Sequence, residues 1–135
     1  MINLFDYKDS NGYNVMQAWA DNMPMQSRDR GKLDNRIDIL ERAEPNLLPP
    51  GLLHNVRGYK HIMHLVAKGK PVTLCPMLCR GVVDFQSEFT FLFGATEKDR
   101  KYLPRNAPEI ADKNRDDLRL HTQCRCKHER FNKRP

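Results

Sequence analysis

Three stretches of the chain carry side chains able to do chemistry. The first is His54, Arg57, Tyr59, Lys60, His61 and His64. Arginine and lysine beside a Gly-Tyr turn suit a phosphate clamp with an aromatic ring for a base, the pairing that RNA recognition favours. His61 and His64 fit that surface as RNA-binding groups, or either is a histidine satisfied among apolar neighbours. The second stretch runs Phe91-Leu92-Phe93-Gly94-Ala95-Thr96-Glu97-Lys98-Asp99-Arg100-Lys101-Tyr102-Leu103-Pro104. An apolar strand ends in small residues and releases five consecutive charged residues, Glu97 to Lys101, and a tyrosine, where a rigid element can hold catalytic groups on a loop. The third is His121, Cys124, Cys126 and His128. Thiolate and imidazole suit zinc, but Cys-X-Cys lacks the separated knuckles of a zinc site, so no metal is assigned.

Elements must position these groups. Ile2 to Tyr7 reads as a short strand, and Ser10-Asn11-Gly12 as a turn. Val15, Met16, Trp19, Ala20 and Met23 recur at three- and four-residue steps, the stripe of a helix ending near Pro24. Leu33, Ile37, Leu40 and Ala43 repeat the pattern up to Pro45, so the two helices form an antiparallel hairpin. The second helix's polar face, including Lys32 and Arg36, mixes charge signs and reads as solvated.

Past Gly51 the period changes. Residues 52–56, 60–67, 72–79 and 88–93 are short β-type runs bounded by Gly, Pro or polar residues, which predicts an antiparallel meander. Lys68-Gly69-Lys70-Pro71 reads as a hairpin turn, and Pro76 calls for a bulge or an edge. Residues 94–104 read as a charged loop leading to a last helix with Ala107, Ile110, Ala111, Asn114 and Leu118 inward. The fold class is therefore α+β: an antiparallel sheet of four to five strands, an N-terminal helical hairpin and a C-terminal helix, with the other sheet face open. The domain spans residues 1–120, and residues 121–135 are a basic C-terminal tail.

Composition narrows the function. At 135 residues, 39% hydrophobic and 30% charged, the chain supports one core. No apolar run approaches the roughly 20 residues of a membrane span, and the charged start is unlike a secretory segment, so a soluble, cytoplasmic protein is expected. The four cysteines form no disulfide framework. Cys75 and Cys79 are expected to pack rather than bridge. The formal net charge of +6 is unevenly placed: residues 1–97 balance 11 Lys or Arg against 11 Asp or Glu, whereas residues 98–135 hold 12 against 6. A basic end on a neutral body suits a polyanion, and Arg125 and Lys127 are expected to attract RNA.

The helical hairpin, hairpin-built sheet, apolar strand Phe91 to Phe93, Gly94, Glu97-Lys98 with Lys101, Pro104, and a helix with Ala111 and Arg115 resemble the RelE/ParE superfamily of type II toxins, in its phage-derived, HigB-like branch. Departures are Glu97-Lys98 in place of adjacent lysines, an extra loop from Gly81 to Ser87, and the residues after His121. The resemblance implies a metal-independent endoribonuclease that acts on mRNA, in association with the ribosome, and is neutralised by a cognate antitoxin protein. It implies transesterification through the ribose 2′-OH without a cofactor, with Glu97, Lys98 and Lys101 at the phosphate and Glu97 or a nearby histidine as base. Arg57 and Arg80 are assigned as phosphate clamps and Tyr102 as base stack or acid, on position and chemistry. Lys60, His61, His64 and Arg100 extend the RNA surface.

Two other readings share these features: a ParE-like toxin that inhibits gyrase by binding, and a non-toxic nucleic-acid-binding or regulatory protein. Convergence of Glu97, Lys98 and Arg80 or Arg57 on one sheet face favours the nuclease; dispersal favours the binder.

Overall fold

The computed structural model describes residues 1–22, 26–69 and 72–132. The chain forms β1 (Asn3–Tyr7), α1 (Val15–Asn22), α2 (Ser27–Arg42), β2 (Leu53–Asn55), β3 (Met63–Leu65), β4 (Ala67–Lys68), β5 (Thr73–Leu74), β6 (Met77–Arg80), β7 (Glu88–Phe93), β8 (Thr96–Lys98), β9 (Lys101–Leu103), α3 (Ala107–Leu120) and β10 (Arg125–Lys127). The class is α+β, as expected.

Local chemistry explains the helix starts. The Asp9 carboxylate accepts from the backbone N–H groups of Asn11 and Tyr13, closing the predicted turn around Gly12, whose φ is +82°. The Asn14 side-chain oxygen then accepts from the N–H groups of Met16 and Gln17 and caps α1. The Arg30 guanidinium donates to the Ala20 carbonyl at 2.6 Å and ties α2 to α1. Met23 and Pro24, where the first helix was expected to end, and Lys70-Pro71 of the predicted hairpin turn lie outside the described residues. The strands flanking that turn, β4 and β5, do pair antiparallel, Ala67 opposite Leu74.

The single meander is replaced by two sheets. One has the order β10-β1-β7-β6-β3-β2 and the other β4-β5-β8-β9. Two expected strands break: the 60–67 run at Val66, and the 72–79 run at Cys75-Pro76, where proline has no N–H for a ladder. Each half then joins a different sheet. In the larger sheet β1 lies parallel to β7, with Leu4 opposite Phe89, so the sheet is mixed.

The sheet face expected to be open is covered. Leu4, Leu33, Ile37, Leu65, Leu78 and Phe89 form a core under α1 and α2, while Ile62, Met77, Cys79, Leu92, Ala111 and Leu118 form a second core under α3. β7 is consequently buried on both faces, which is why Glu88 to Phe93 reads as an almost unbroken apolar run.

Residues 121–132 are not a tail. β10 adds to the free edge of β1, with Phe5 opposite Lys127 and Tyr7 opposite Arg125. His128 Nδ1 and Asp6 Oδ1 meet at 2.8 Å, fully buried. Phe131 enters the first core, and its N–H and that of Asn132 donate to the Asp34 carboxylate. Arg130 bridges Asp38 and Glu41. Arrangement in space, not count, decides here: Arg125 and Arg130, which read as tail, are paired with acids of β7 and α2.

Candidate functional site

A groove of about 960 Å³ opens between α2, the edge strand β2 with its neighbour β3, and the smaller sheet. Its chemistry-bearing residues are Lys32 and Arg36 of α2, His54 of β2, His64 of β3, Lys68 of β4 and Glu97 of β8. His54 and His64 are brought together by register, as directly opposed residues on β2 and β3 with ring centroids 5.5 Å apart. The Tyr102 ring stands edge-on to His64 at 5.8 Å, carried there by β9, where Tyr102 pairs with Glu97.

His64 is 92% buried, and its Nδ1 has no hydrogen-bond partner among the described residues. Its pKa is pushed below the ordinary histidine value by burial first and by the adjacent His54 next, against opposition from the Glu97 carboxylate and the Leu65 backbone. It is therefore neutral at neutral pH. Arg36 is in a related condition. One terminal nitrogen donates to the Gly51 carbonyl at 3.1 Å while its buried Nε has no partner. Two buried polar atoms, one on β3 and one on α2, thus lack a partner among the described residues, which folded proteins rarely allow. Burial first, then Cys75 and Glu97, raises the Tyr102 pKa and keeps the phenol protonated.

The expected site residues divide. Residues 96–103 are a tight hairpin rather than a charged loop, with Asp99 and Arg100 at φ +53° and +64° in the left-handed region that two-residue hairpin turns require. Strand alternation sends Glu97 and Tyr102 to the groove face and Lys98 and Lys101 to the opposite one. These four residues, close in sequence, are therefore divided between two faces and cannot act on one phosphate together. Arg100 lies at the exposed turn between them.

Arg80 is a structural residue. Its guanidinium donates to the carbonyls of Phe85 at 2.9 Å and Pro45 at 2.6 Å and lies over the rings of Phe85 and Phe89. It pins the 81–87 loop, in which Val82 holds a strained φ of +104°. Arg125 is likewise occupied, paired with the buried Glu88 carboxylate and stacked 3.9 Å from the Phe5 ring centroid. Lys127 remains exposed on the β10 edge.

Arg57 and Lys60 are exposed on the β2–β3 connection, away from the groove. His61 is exposed with them, and its pKa is lowered by Arg115 first, with burial, Lys60 and Arg119 adding to it. That basic patch faces α3.

The thiols of Cys75 and Cys79 are buried and free, both pushed up to about 12 by burial, so they pack as expected. His121, Cys124, Cys126 and His128 are separated. Cys124 enters the second core, Cys126 Sγ accepts from Asn14 Nδ2, and His128 is taken by Asp6. Among the described residues no three His, Cys, Asp or Glu side chains assemble as a metal site.

The groove's α2 cations were missed because their helix face mixes signs. One signal was available: Lys32 and Arg36 sit at i and i+4, a like-charge pair that costs helix stability unless an anion lies nearby. No family model, curated protein or solved structure matches this chain.

Proposed function

We propose that this chain is a toxin-type, metal-independent endoribonuclease whose site is the groove between α2 and the two sheets. The observation that carries the reading is the buried, unpartnered Nδ1 of His64, in a groove that also holds His54, Glu97 and the cations Lys32, Arg36 and Lys68. Neutral at pH 7, His64 takes the proton of a ribose 2′-OH. The 2′ oxygen then attacks the adjacent phosphorus and the P–O5′ bond breaks, leaving a 2′,3′-cyclic phosphate and a 5′-OH. The proton held on His64 then passes to the leaving 5′ oxygen, with His54 directly opposite on the exposed edge strand beside it. Glu97 stabilises the imidazolium that forms on His64, and the lysines and Arg36 offset the charge of the phosphorane. An mRNA substrate, ribosome association and a neutralising antitoxin belong to this same reading.

A gyrase-inhibiting, ParE-like binder is favoured by a different observation: Arg57, Arg80 and Lys98 do not converge with Glu97. Controlled induction of the chain in a bacterial host separates the two. Amino-acid incorporation falling before thymidine incorporation supports the nuclease; the reverse order supports the gyrase reading, and no effect at confirmed soluble expression leaves a non-toxic nucleic-acid-binding protein. With purified protein and a single-stranded RNA, Glu97→Gln and His64→Gln each slow formation of the cyclic phosphate by about 10²-fold or more. Full activity in both folded variants would remove the groove as the site.

A further inference from the structure

The opposite face of the β8–β9 hairpin carries a second feature. Between α1 and this hairpin lies an apolar pocket of about 390 Å³, built on Trp19, Phe93, Gly94, Thr96, Leu103 and Pro104. The pocket is a built one. The indole of Trp19 lies so close to the Gly94 backbone that a Cβ there would come within 2.0 Å of the ring, so only glycine lets ring and strand meet. Trp19 also sets its ring against Phe131 in an edge contact, centroids 5.9 Å apart, which holds the pocket floor to the first core. At the rim, Leu103 leaves 67% of its surface exposed.

Charge surrounds this apolar surface on one side. Thr96 pairs with Leu103 and Lys98 with Lys101, and residues two apart on a strand share a face, so both lysines stand on the pocket's face of the hairpin. Directly opposed like charges destabilise a two-stranded ribbon. Neither lysine joins an ion pair among the described residues, and residues 98–105 hold four Lys or Arg against one Asp. An apolar pocket that the described residues leave open, beside two mutually repelling lysines without an ion pair among them, is complementary to one kind of chain: apolar at one position and acidic beside it.

We propose that this face is a docking surface for an acidic segment of a partner protein, which inserts one apolar side chain between Trp19 and Leu103 and sets its carboxylates against Lys98 and Lys101. The proposal stands whether or not the groove cleaves RNA, since the two sites use opposite faces of the hairpin. It also gives Lys98 and Lys101 a role that strand alternation denies them at Glu97.

Trp19 is the chain's only tryptophan, so its fluorescence reports on the pocket directly. The full chain is titrated with three short synthetic peptides: one alternating Glu with Leu and Phe, one with Lys in place of every Glu, and one with Ser in place of Leu and Phe. Only the acidic, apolar peptide is expected to give a saturable change in emission, and raised salt weakens it. Lys98→Glu combined with Lys101→Glu lowers affinity for that peptide about tenfold and transfers binding to the lysine peptide. Leu103→Asp removes the response, with thermal unfolding confirming that these exposed substitutions leave the fold intact. An equal response to the acidic and basic peptides, no response to either, or indifference to the charge reversal would overturn the proposal. So would an emission change that follows protein concentration without peptide, which assigns the face to a second copy of this chain. No RNA enters the titration, so its failure and the failure of the nuclease reading are separately visible.

Discussion

His64 concentrates the physical argument in one side chain. An imidazole buried beside a second histidine binds a proton less readily than it does in the unfolded chain, so between the unfolded value near 6.5 and its own lower one the unfolded state holds more protons. Stability contributed by this position is intact above that window and declines as pH falls through it. His64→Gln, which cannot titrate, is expected to lose less stability than the natural chain between pH 7.5 and 5.5. Urea midpoints of both proteins at the two pH values check this; equal losses would mean that His64 is not held neutral by the fold. Activity follows the same sign, because a protonated His64 cannot accept from a 2′-OH, so cleavage falls on the acid side. Arg80 illustrates the contrary case at this scale. A cation at a strand end has the sequence appearance of a phosphate clamp, yet two backbone carbonyls and two aromatic rings already occupy it.

Among the elements, the C-terminal segment changes the expected energetics most. β10 covers the edge of β1, and an uncovered edge strand is a pairing hazard that β-sheet proteins avoid. Beyond it, His128 meets Asp6 and Phe131 packs among Trp19, Phe91-side and α2 residues of the first core. A chain ending at Leu120 is therefore expected to lose cooperative unfolding rather than merely weaken RNA attraction. Phe131→Ala alone costs about 3 kcal/mol, the scale of deleting a buried aromatic ring. Circular dichroism melts of the truncated and substituted proteins test both, and an unshifted transition on truncation would return residues 121–132 to the status of a tail. The β8–β9 hairpin acts at the same scale in another way. By giving Thr96 and Leu103 to one face and Glu97 and Tyr102 to the other, it partitions one charged stretch between two surfaces.

For the whole molecule, net charge is a weaker guide than its placement. The formal +6 includes Arg125 and Arg130, which the fold neutralises with Glu88, Asp38 and Glu41. Cations that the fold gathers and leaves for a polyanion include those of the groove and the exposed Arg57 and Lys60. If three groove cations contact a single-stranded RNA, log affinity falls with log salt at a slope of about −2, at roughly 0.7 per phosphate contacted. Lys32→Ala is expected to shallow that slope by about 0.7, with little change on replacing Lys127. Filter binding across a salt series measures it, and a slope untouched by Lys32→Ala would place the RNA elsewhere.

Much of this architecture is written in local patterns. The three- and four-residue steps of Val15 to Trp19 and of Leu33 to Leu40 determined two helices and the faces they bury, and the apolar run from Phe89 to Phe93 determined a central strand, because side-chain periodicity follows directly from backbone geometry. The motif around Glu97 was legible as residues but not as a site. Residues 96–103 form a hairpin with Asp99 and Arg100 at positive φ, and its first strand pairs with Thr73 and Leu74, far off in the chain, a partnership local pattern does not show. The meeting of His64 with His54 and of Asp6 with His128, and the placing of Glu97 in one groove with Lys32 and Arg36, likewise came only from tertiary structure. Sequence spacing governs which side chains share a face of one element; which faces meet is decided by the packing of elements that local sequence does not encode.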